Sequence, residues 1–313
     1  MIENVAVVGA GLMGHALALV HALAGCEVRL QDVSGSALAA APGLIRAALR
    51  TLVEADACSE ADAARAEARV TYHEELATVV AGAELIVEAV VENAEVKRQV
   101  FAELDRLAGA DAIIASNTSH LDVFPLIPPG RQAKALIAHW YTPPYIVDLV
   151  DLVRGPTTDP AIVERLRDFY AGLGKRPVVF ETMLQGYVAN RLQAAINQEI
   201  FHLLDEGKVT AEAIDTSIKH GLGLRLLLMG QVKKIDYTGL DMVRRALANG
   251  SYHAPPPTSR STSLDRLVAD GKNGASTGAG FYDYDGRSAV ELFEERDRKL
   301  LALKRAWQAI GEL

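Results

Sequence analysis

The chain has few cysteines, no excess of positive charge and no long uncharged hydrophobic run. Cys26 and Cys58 are its only cysteines among 313 residues, and without metal-ligand spacing we expect them to be buried free thiols and expect no metal site. The net charge of −8 argues against nucleic acid or an anionic membrane as a partner. Charged residues interrupt the apolar stretches too often for a bilayer span, and the N-terminus shows no basic segment or cleavage site, which predicts a cytoplasmic protein.

A glycine-rich turn near the N-terminus predicts a dinucleotide site. The apolar residues 4–8 run into GAGLMG, which opens a helical segment, and the next apolar run ends in Asp32. In this strand–turn–helix–strand frame, Gly9 permits the tight turn, Gly11 admits a pyrophosphate, and Gly14 lets the helix pack closely on the strand. The helix N-terminus favours phosphate, and Asp32 would accept ribose hydroxyls and repel a 2′-phosphate, which favours NAD over NADP.

Apolar strands alternate with helices through the first half of the chain. This alternation predicts a mostly parallel, Rossmann-like sheet covered on both faces, in which ligands collect at the carboxyl ends of the strands. Several polar residues follow strand ends and should share that edge of the sheet: Glu88, Glu92, Ser116, Asn117, Thr118, Ser119 and His139.

These motifs together resemble the 3-hydroxyacyl-CoA dehydrogenase family over nearly the whole chain. The resemblance rests on GAGLMG, VEAVVENAEVK (87–97), ASNTS (115–119), the His139-Trp-Tyr-Thr-Pro stretch, GYVANRL (186–192), DYTGLD (236–241) and TGAGFYDY (277–284). It implies an NAD-dependent oxidation of a hydroxyl group by a Rossmann-like domain followed by an all-helical domain that dimerises.

The resemblance assigns four catalytic positions. His139 takes the place of the catalytic base, and Asp151, twelve residues on, that of the acid which orients it. The family usually has Glu there, so the shorter Asp predicts either closer backbones or a weaker contact. Ser119 and Asn190 match residues that hold the reacting oxygen. Such a set suits the chemistry, because hydride leaves a carbinol carbon only as the hydroxyl proton passes to a base with a pKa near 7.

The same resemblance implies a larger set of cofactor contacts. Glu92 and Lys97 match residues on the nicotinamide-ribose side, and Thr142 stands where the family has a cofactor-contacting Asn. The full predicted set is Gly9, Gly11, Leu12, Met13, Gly14, Asp32, Glu92, Lys97, Asn117 and Thr142.

Several departures favour a small carboxylate substrate over an acyl-CoA. The expected CoA-contacting Ser and Lys are Ala48 and Ala55, and GLGLRLLLMGQ places Arg225 on the presumed substrate side. A guanidinium binds a free carboxylate bidentately, and these features are more similar to the branch of lambda-crystallin (L-gulonate 3-dehydrogenase) and carnitine dehydrogenase. The alternatives are a 3-hydroxyacyl-CoA such as 3-hydroxybutyryl-CoA, the oxidation of a ring hydroxymethyl or aldehyde group on an aromatic carboxylate, or a non-enzymatic crystallin-like role.

Residues 1–183 are expected to form the NAD-binding domain and residues 184–313 a helical substrate and dimerisation domain. The first helix of the second domain carries an apolar stripe that includes Ile196 and Ile200. Apolar segments such as GLRLLLMG would suit a homodimer interface, and a core within one chain explains them equally well.

Overall fold

The chain forms an α/β unit that ends at Val188 and a helical unit that begins at Ala189, a few residues beyond the predicted boundary. A computed structural model describes residues 2–250, 252–311 and 313. The first unit contains, in order, β1 (Asn4–Val8), α1 (Gly14–Leu23), β2 (Glu27–Gln31), α2 (Gly35–Glu54), α3 (Glu60–Ala68), β3 (Val70–His73), α4 (Leu76–Val80), β4 (Leu85–Glu88), α5 (Ala94–Leu107), β5 (Ile113–Ser116), β6 (Ala135–Trp140), β7 (Leu149–Arg154), α6 (Pro160–Gly172) and β8 (Arg176–Phe180). From its boundary onward follow α7 (Tyr187–Asp205), α8 (Ala211–Thr216), α9 (Leu224–Thr238), α10 (Leu240–Ala248), α11 (Thr262–Ala269) and α12 (Ala289–Ile310).

The strands make one eight-stranded sheet in the order β3-β2-β1-β4-β5-β6-β7-β8. Every neighbouring pair of these described strands is parallel except β6 and β7, which confirms the mostly parallel Rossmann-like sheet. Strands β4, β5 and β6 are buried along their whole length, as strands covered on both faces must be. The carboxyl ends of β1, β4, β5 and β6 therefore lie at one edge, where the antiparallel β7 begins.

Helix α2 is a core helix of the first unit. By length and composition it is the one described helix that could cross a membrane. Its apolar side chains, among them Leu38, Ile45 and Leu49, are instead buried in the core beside the sheet. Ser59 begins α3 by accepting a hydrogen bond from the Asp62 backbone N–H. Both cysteines were expected to be buried. Cys26 is buried, whereas Cys58 is only half-buried.

The second unit buries few of its own side chains. Among its described residues only Ser261, Asp297 and Leu301 are buried. A stretch of π-helix precedes α9, which is itself broken at Gly230, where φ is +68°. The predicted apolar stripe of α7 does form a helix face, but Ile196 remains 45% exposed. A helical unit of this size normally encloses a core of its own, whereas many apolar side chains of this one are exposed.

Candidate active site

The glycine turn after β1 has the close approach that the sequence predicts. Gly9 has a φ of +101°, and a Cβ there would lie 2.6 Å from the Ala89 carbonyl oxygen. A Cβ on Gly14 would overlap the Gly9 carbonyl oxygen, so only glycine lets α1 start against this turn. At Gly11 an added Cβ would meet nothing within 4 Å, which leaves open space over the turn. The turn and the N-terminus of α1 therefore fit a pyrophosphate.

Asp32 lies at the end of β2 beside a cavity of about 670 Å³. Its Oδ2 accepts the Ala10 backbone N–H at 2.7 Å and its Oδ1 accepts the Ser34 N–H at 2.8 Å. These bonds hold the carboxylate in place, and each oxygen keeps a lone pair for a ribose hydroxyl. The cavity has apolar walls suited to a nucleotide base and further carboxylates that oppose an added phosphate; lining residues include Gly11, Val90, Val96, Val100, Glu74 and Glu103.

His139 and Asp151 face each other across β6 and β7. The antiparallel register pairs the two residues directly, so their side chains share one face of the sheet. Both side chains are buried, and His139 Nδ1 lies 3.4 Å from Asp151 Oδ2. This distance exceeds the 2.7–2.9 Å usual for a charge-assisted hydrogen bond, which agrees with the weaker contact expected from the short Asp. Among the described residues only Nδ1 of the ring has a hydrogen-bond partner, which leaves Nε2 for a substrate hydroxyl.

Two tyrosine rings enclose the imidazole. Tyr141 packs edge-on and Tyr187 tilted against His139, each with its ring centroid 4.6 Å away. The Tyr187 hydroxyl donates to the Thr118 carbonyl oxygen at 2.7 Å, and its backbone φ of +49° is unusual for a bulky residue. The Tyr141 hydroxyl donates to Asp151 Oδ2 at 2.6 Å. The imidazole is therefore fixed on two sides by rings and on a third by a carboxylate.

Glu92 organises the turn that carries Ser119. Its Oε1 accepts the Thr118 hydroxyl at 2.7 Å and the backbone N–H groups of Ser119 and His120, each at 2.9 Å. Partial burial opposes ionisation of this carboxyl, but these hydrogen bonds and the nearby Lys97 ammonium lower the pKa of Glu92 to about 2. The carboxylate is thus charged at neutral pH and holds the turn after β5 in one conformation. The side chain of His120 is exposed, as expected for a loop residue.

Lys97 is buried in an ion pair instead of lining an open cofactor site. Asn93 caps α5, and Lys97 is a buried residue of its first turns. Side chains in a helix point back toward its N-terminus, which here is the end that follows the sheet edge. Its Nζ lies 2.7 Å from Glu88 Oε1 and 3.4 Å from Glu92 Oε2, and the side chain is only 1% exposed. Ser116 donates a further hydrogen bond to Glu88 at 2.5 Å. The ammonium group therefore contacts the carboxylates of Glu88 and Glu92. Direct contact between Lys97 and a cofactor stays a prediction, and the burial of the lysine side chain does not favour it.

The other predicted cofactor residues gather near the glycine turn and the end of β6. Asn117 Oδ1 accepts the Trp140 backbone N–H at 2.9 Å, which ties the ends of β5 and β6 together. The Thr142 hydroxyl lies 3.1 Å from Met13 Sδ, so these two residues, one from the turn before α1 and one from beyond β6, meet. Leu12 is 75% exposed at the tip of the turn. All four predicted residues belong to the first unit.

Asn190 and Arg225 belong to the second unit. Asn190 is half-buried on α7, three residues after Tyr187, and Arg225 is exposed in the first turn of α9. The Nε of Arg225 donates to the Gly221 carbonyl oxygen at 2.9 Å. Among the described residues no carboxylate lies within ion-pair distance of this guanidinium.

The sequence reasoning did not single out Tyr141 or Tyr187 as site residues. Tyr141 lies two residues beyond His139, where strand alternation would have placed it on the same face. Tyr187 follows Gly186 and shares its left-handed backbone, which the residue type alone does not signal. Glu88 was placed at the sheet edge, but its burial with Lys97 carries no sequence signature.

A glycine turn with a helix N-terminus, an acid after β2 and a buried His–Asp pair at the same sheet edge define an NAD-dependent dehydrogenase. The chain belongs to the 3-hydroxyacyl-CoA dehydrogenase family: the model of its NAD binding domain matches residues 4–183, and that of its C-terminal domain matches residues 186–284. It is an oxidoreductase that acts on CH–OH groups with NAD, as its relatives are, and the non-enzymatic alternative falls away.

Similar proteins cover the whole chain. A 5-formyl-3-hydroxy-2-methylpyridine 4-carboxylate 5-dehydrogenase from Mesorhizobium japonicum is 30% identical over 97% of this chain and 98% of its own. An L-carnitine dehydrogenase from Streptomyces griseus is 32% identical over 97% of this chain and 90% of its own. A crystal structure of a 5-formyl-3-hydroxy-2-methylpyridine 4-carboxylic acid 5-dehydrogenase, called an NAD+-dependent dismutase, superposes with a TM-score of 0.87 at 28% identity and covers all of both chains.

Proposed function

We propose that the protein oxidises the hydroxyl group of a small free carboxylic acid, with His139 as the proton acceptor. The observation that carries this reaction is the buried His139–Asp151 pair, whose Nε2 has no hydrogen-bond partner among the described residues. Bound NAD supplies the hydride acceptor. His139 takes the hydroxyl proton as the carbon is oxidised, and it returns a proton in the reverse direction.

The other residues hold the reacting groups. Asp151 fixes the imidazole tautomer by accepting from Nδ1 and stabilises the imidazolium that forms. Ser119 and Asn190 donate to the oxygen as it becomes a carbonyl, an effect of preorganised donors. The turn held by Glu92 sets the position of Ser119. We assign the preference for NAD to Asp32, whose carboxylate would repel the 2′-phosphate of NADP.

The proposed acid substrate is supported by Arg225 and by the relatives. The guanidinium is exposed, and its Nη groups have no partner among the described residues, so they could bind a carboxylate bidentately. One relative is named for a pyridine carboxylate and another, a carnitine dehydrogenase of the kind that the sequence resembles, for L-carnitine. The proposal covers acids with the hydroxyl group on an aliphatic chain and acids with it on a ring substituent. The position of Ala48 within the buried side of α2 also removes a donor that CoA would use.

Arg225→Met tests the substrate class. Against a panel of free hydroxy acids and CoA thioesters at fixed NAD, we expect wild-type activity on a free acid, and in the variant a KM for that acid higher by about 10- to 100-fold. This range corresponds to the loss of a hydrogen-bonded charge pair worth roughly 1.5–3 kcal/mol. Steady-state NADH absorbance measures the rate of oxidation of both substrate classes.

Arg244→Met is the matched control, because Arg244 is an exposed arginine of the same unit on α10. It should leave the KM for the acid near the wild-type value. If CoA thioesters turn over far faster than every free acid, or if Arg225→Met changes both classes equally, the acid proposal fails and 3-hydroxyacyl-CoA oxidation takes its place.

We further propose that two chains associate through the second unit. The support is the scarcity of buried residues there together with exposed apolar side chains such as Leu224, Val232, Leu240 and Leu247. Sedimentation should give a dimer of the 33.6 kDa chain, and Val232→Glu on α9 should weaken it, since a charge would enter the buried contact. Leu44→Glu, in the first unit, is the control. A wild-type monomer at micromolar concentration would contradict this.

A further inference from the structure

Asp151 makes its shorter hydrogen bond to Tyr141, not to His139. The Tyr141 hydroxyl lies 2.6 Å from Asp151 Oδ2, whereas His139 Nδ1 lies 3.4 Å from the same oxygen. A phenol that donates to a carboxylate at this distance makes a charge-assisted bond, which is stronger than a neutral one. The two donors therefore share one oxygen, and the phenol makes the shorter contact with it.

The phenol keeps its proton throughout the working pH range. Burial raises the pKa of Tyr141, and the hydrogen bond and negative charge of Asp151 raise that pKa further. Tyr141 is therefore a permanent donor, and Asp151 cannot give its full negative charge to the imidazole. Burial also raises the pKa of Tyr187. The Tyr187 hydroxyl donates to the Thr118 carbonyl oxygen and not to Asp151.

The ionisable groups that face the imidazole come from three elements. Asp151 projects from β7, Tyr141 follows β6, and Tyr187 begins α7. The negative charges of Glu92 and Asp122 act on Tyr187. Of these five, only Asp151 hydrogen-bonds the ring, so a residue that controls Asp151 controls the proton affinity of His139.

We propose that Tyr141 is a positioning residue that anchors Asp151 and limits how far this carboxylate raises the proton affinity of His139. The inference rests on the proposed role of His139 as the base. It assigns to Tyr141 a function in setting the pH range of the reaction: with the phenol in place, the imidazole stays neutral, and so able to accept a proton, at a lower pH than it would beside an unshared carboxylate.

Tyr141→Phe tests the proposal, since it removes only the hydroxyl and keeps the ring against the imidazole. The acid limb of the kcat/KM profile should move to higher pH by about one unit, because the released carboxylate favours the charged imidazole. NMR titration of the histidine Cε1 resonances in the full-length protein, with His139→Gln to assign the signal, should show the same shift for His139 alone.

Two further variants separate this role from a structural one. Tyr187→Phe removes the hydroxyl group of the other tyrosine, whose ring centroid is equally far from the imidazole. This variant should leave the pH at which His139 titrates unchanged. In an Asp151→Asn background, Tyr141→Phe should no longer change that titration, since its target carboxylate is gone. An unshifted or downward-shifted His139 titration in Tyr141→Phe overturns the proposal. Because the NMR readout needs no turnover, it is independent of the proposed reaction, which the activity of His139→Gln tests separately.

Discussion

Replacing His139 with glutamine is expected to lower kcat by about 10²- to 10⁴-fold, the usual contribution of a positioned general base. Glutamine retains a polar side chain between the two tyrosine rings but cannot accept and release a proton near neutral pH. The His139 side chain is 3% exposed and pairs with Asp151, so the change is confined to the catalytic edge of the sheet. Initial rates of NADH formation with the preferred acid measure the loss.

NADH affinity should change little in the same variant, because the glycine turn and Asp32 are untouched. Fluorescence titration with NADH checks this. His120→Gln is the matched control: the side chain is exposed one residue beyond Ser119, and its loss should alter kcat by no more than a few-fold. Combined loss of turnover and cofactor affinity in His139→Gln would instead indicate a structural histidine.

Replacing Lys97 with methionine is expected to reduce the free energy of unfolding of the first unit by about 3–5 kcal/mol. Methionine leaves the fully buried Glu88 carboxylate without its counter-charge, and an unpaired buried charge is far more costly than a well-packed apolar pair. Trp140 lies in the first unit, so its fluorescence in a Trp307→Phe background reports urea unfolding of that unit.

Two control variants test whether the unpaired charge causes this loss of stability. Arg98→Met removes the partner of Glu95 in an exposed pair on the same helix and should cost less than about 1 kcal/mol. Adding Glu88→Gln to Lys97→Met removes the uncompensated charge and should restore a large part of the stability. If the single and double variants are equally unstable, the loss comes from packing of the lysine stem and not from the charge.

The sequence predicted the frame of the molecule well because its signals are local. The glycine turn and the alternation of strands and helices each depend on a few adjacent residues, and both appear in the structure. The structure also brings His139 and Asp151 together, because a change of direction between β6 and β7 places these residues opposite each other.

What the sequence did not reveal depends on burial and on distant partners. A lysine at the start of an amphipathic helix has the pattern of a solvated or ligand-facing residue, and only the fold shows that Lys97 lies between two carboxylates. Tyr141 was noted only as part of a motif, since its bond to Asp151 depends on the exact length of the acid. The stripe on α7 was recognised, but the sequence could not say that Ile196 within it stays exposed.

The position of Tyr187 decides where the chain can be cut without disturbing the surroundings of His139. The match to the NAD binding domain ends at residue 183, yet the ring that lies against His139 belongs to the first residue of α7. An excised cofactor-binding fragment that stopped at the family boundary would lose one wall of its histidine and the anchor of the Thr118 carbonyl. A fragment meant to keep the surroundings of this histidine intact should therefore end beyond this tyrosine.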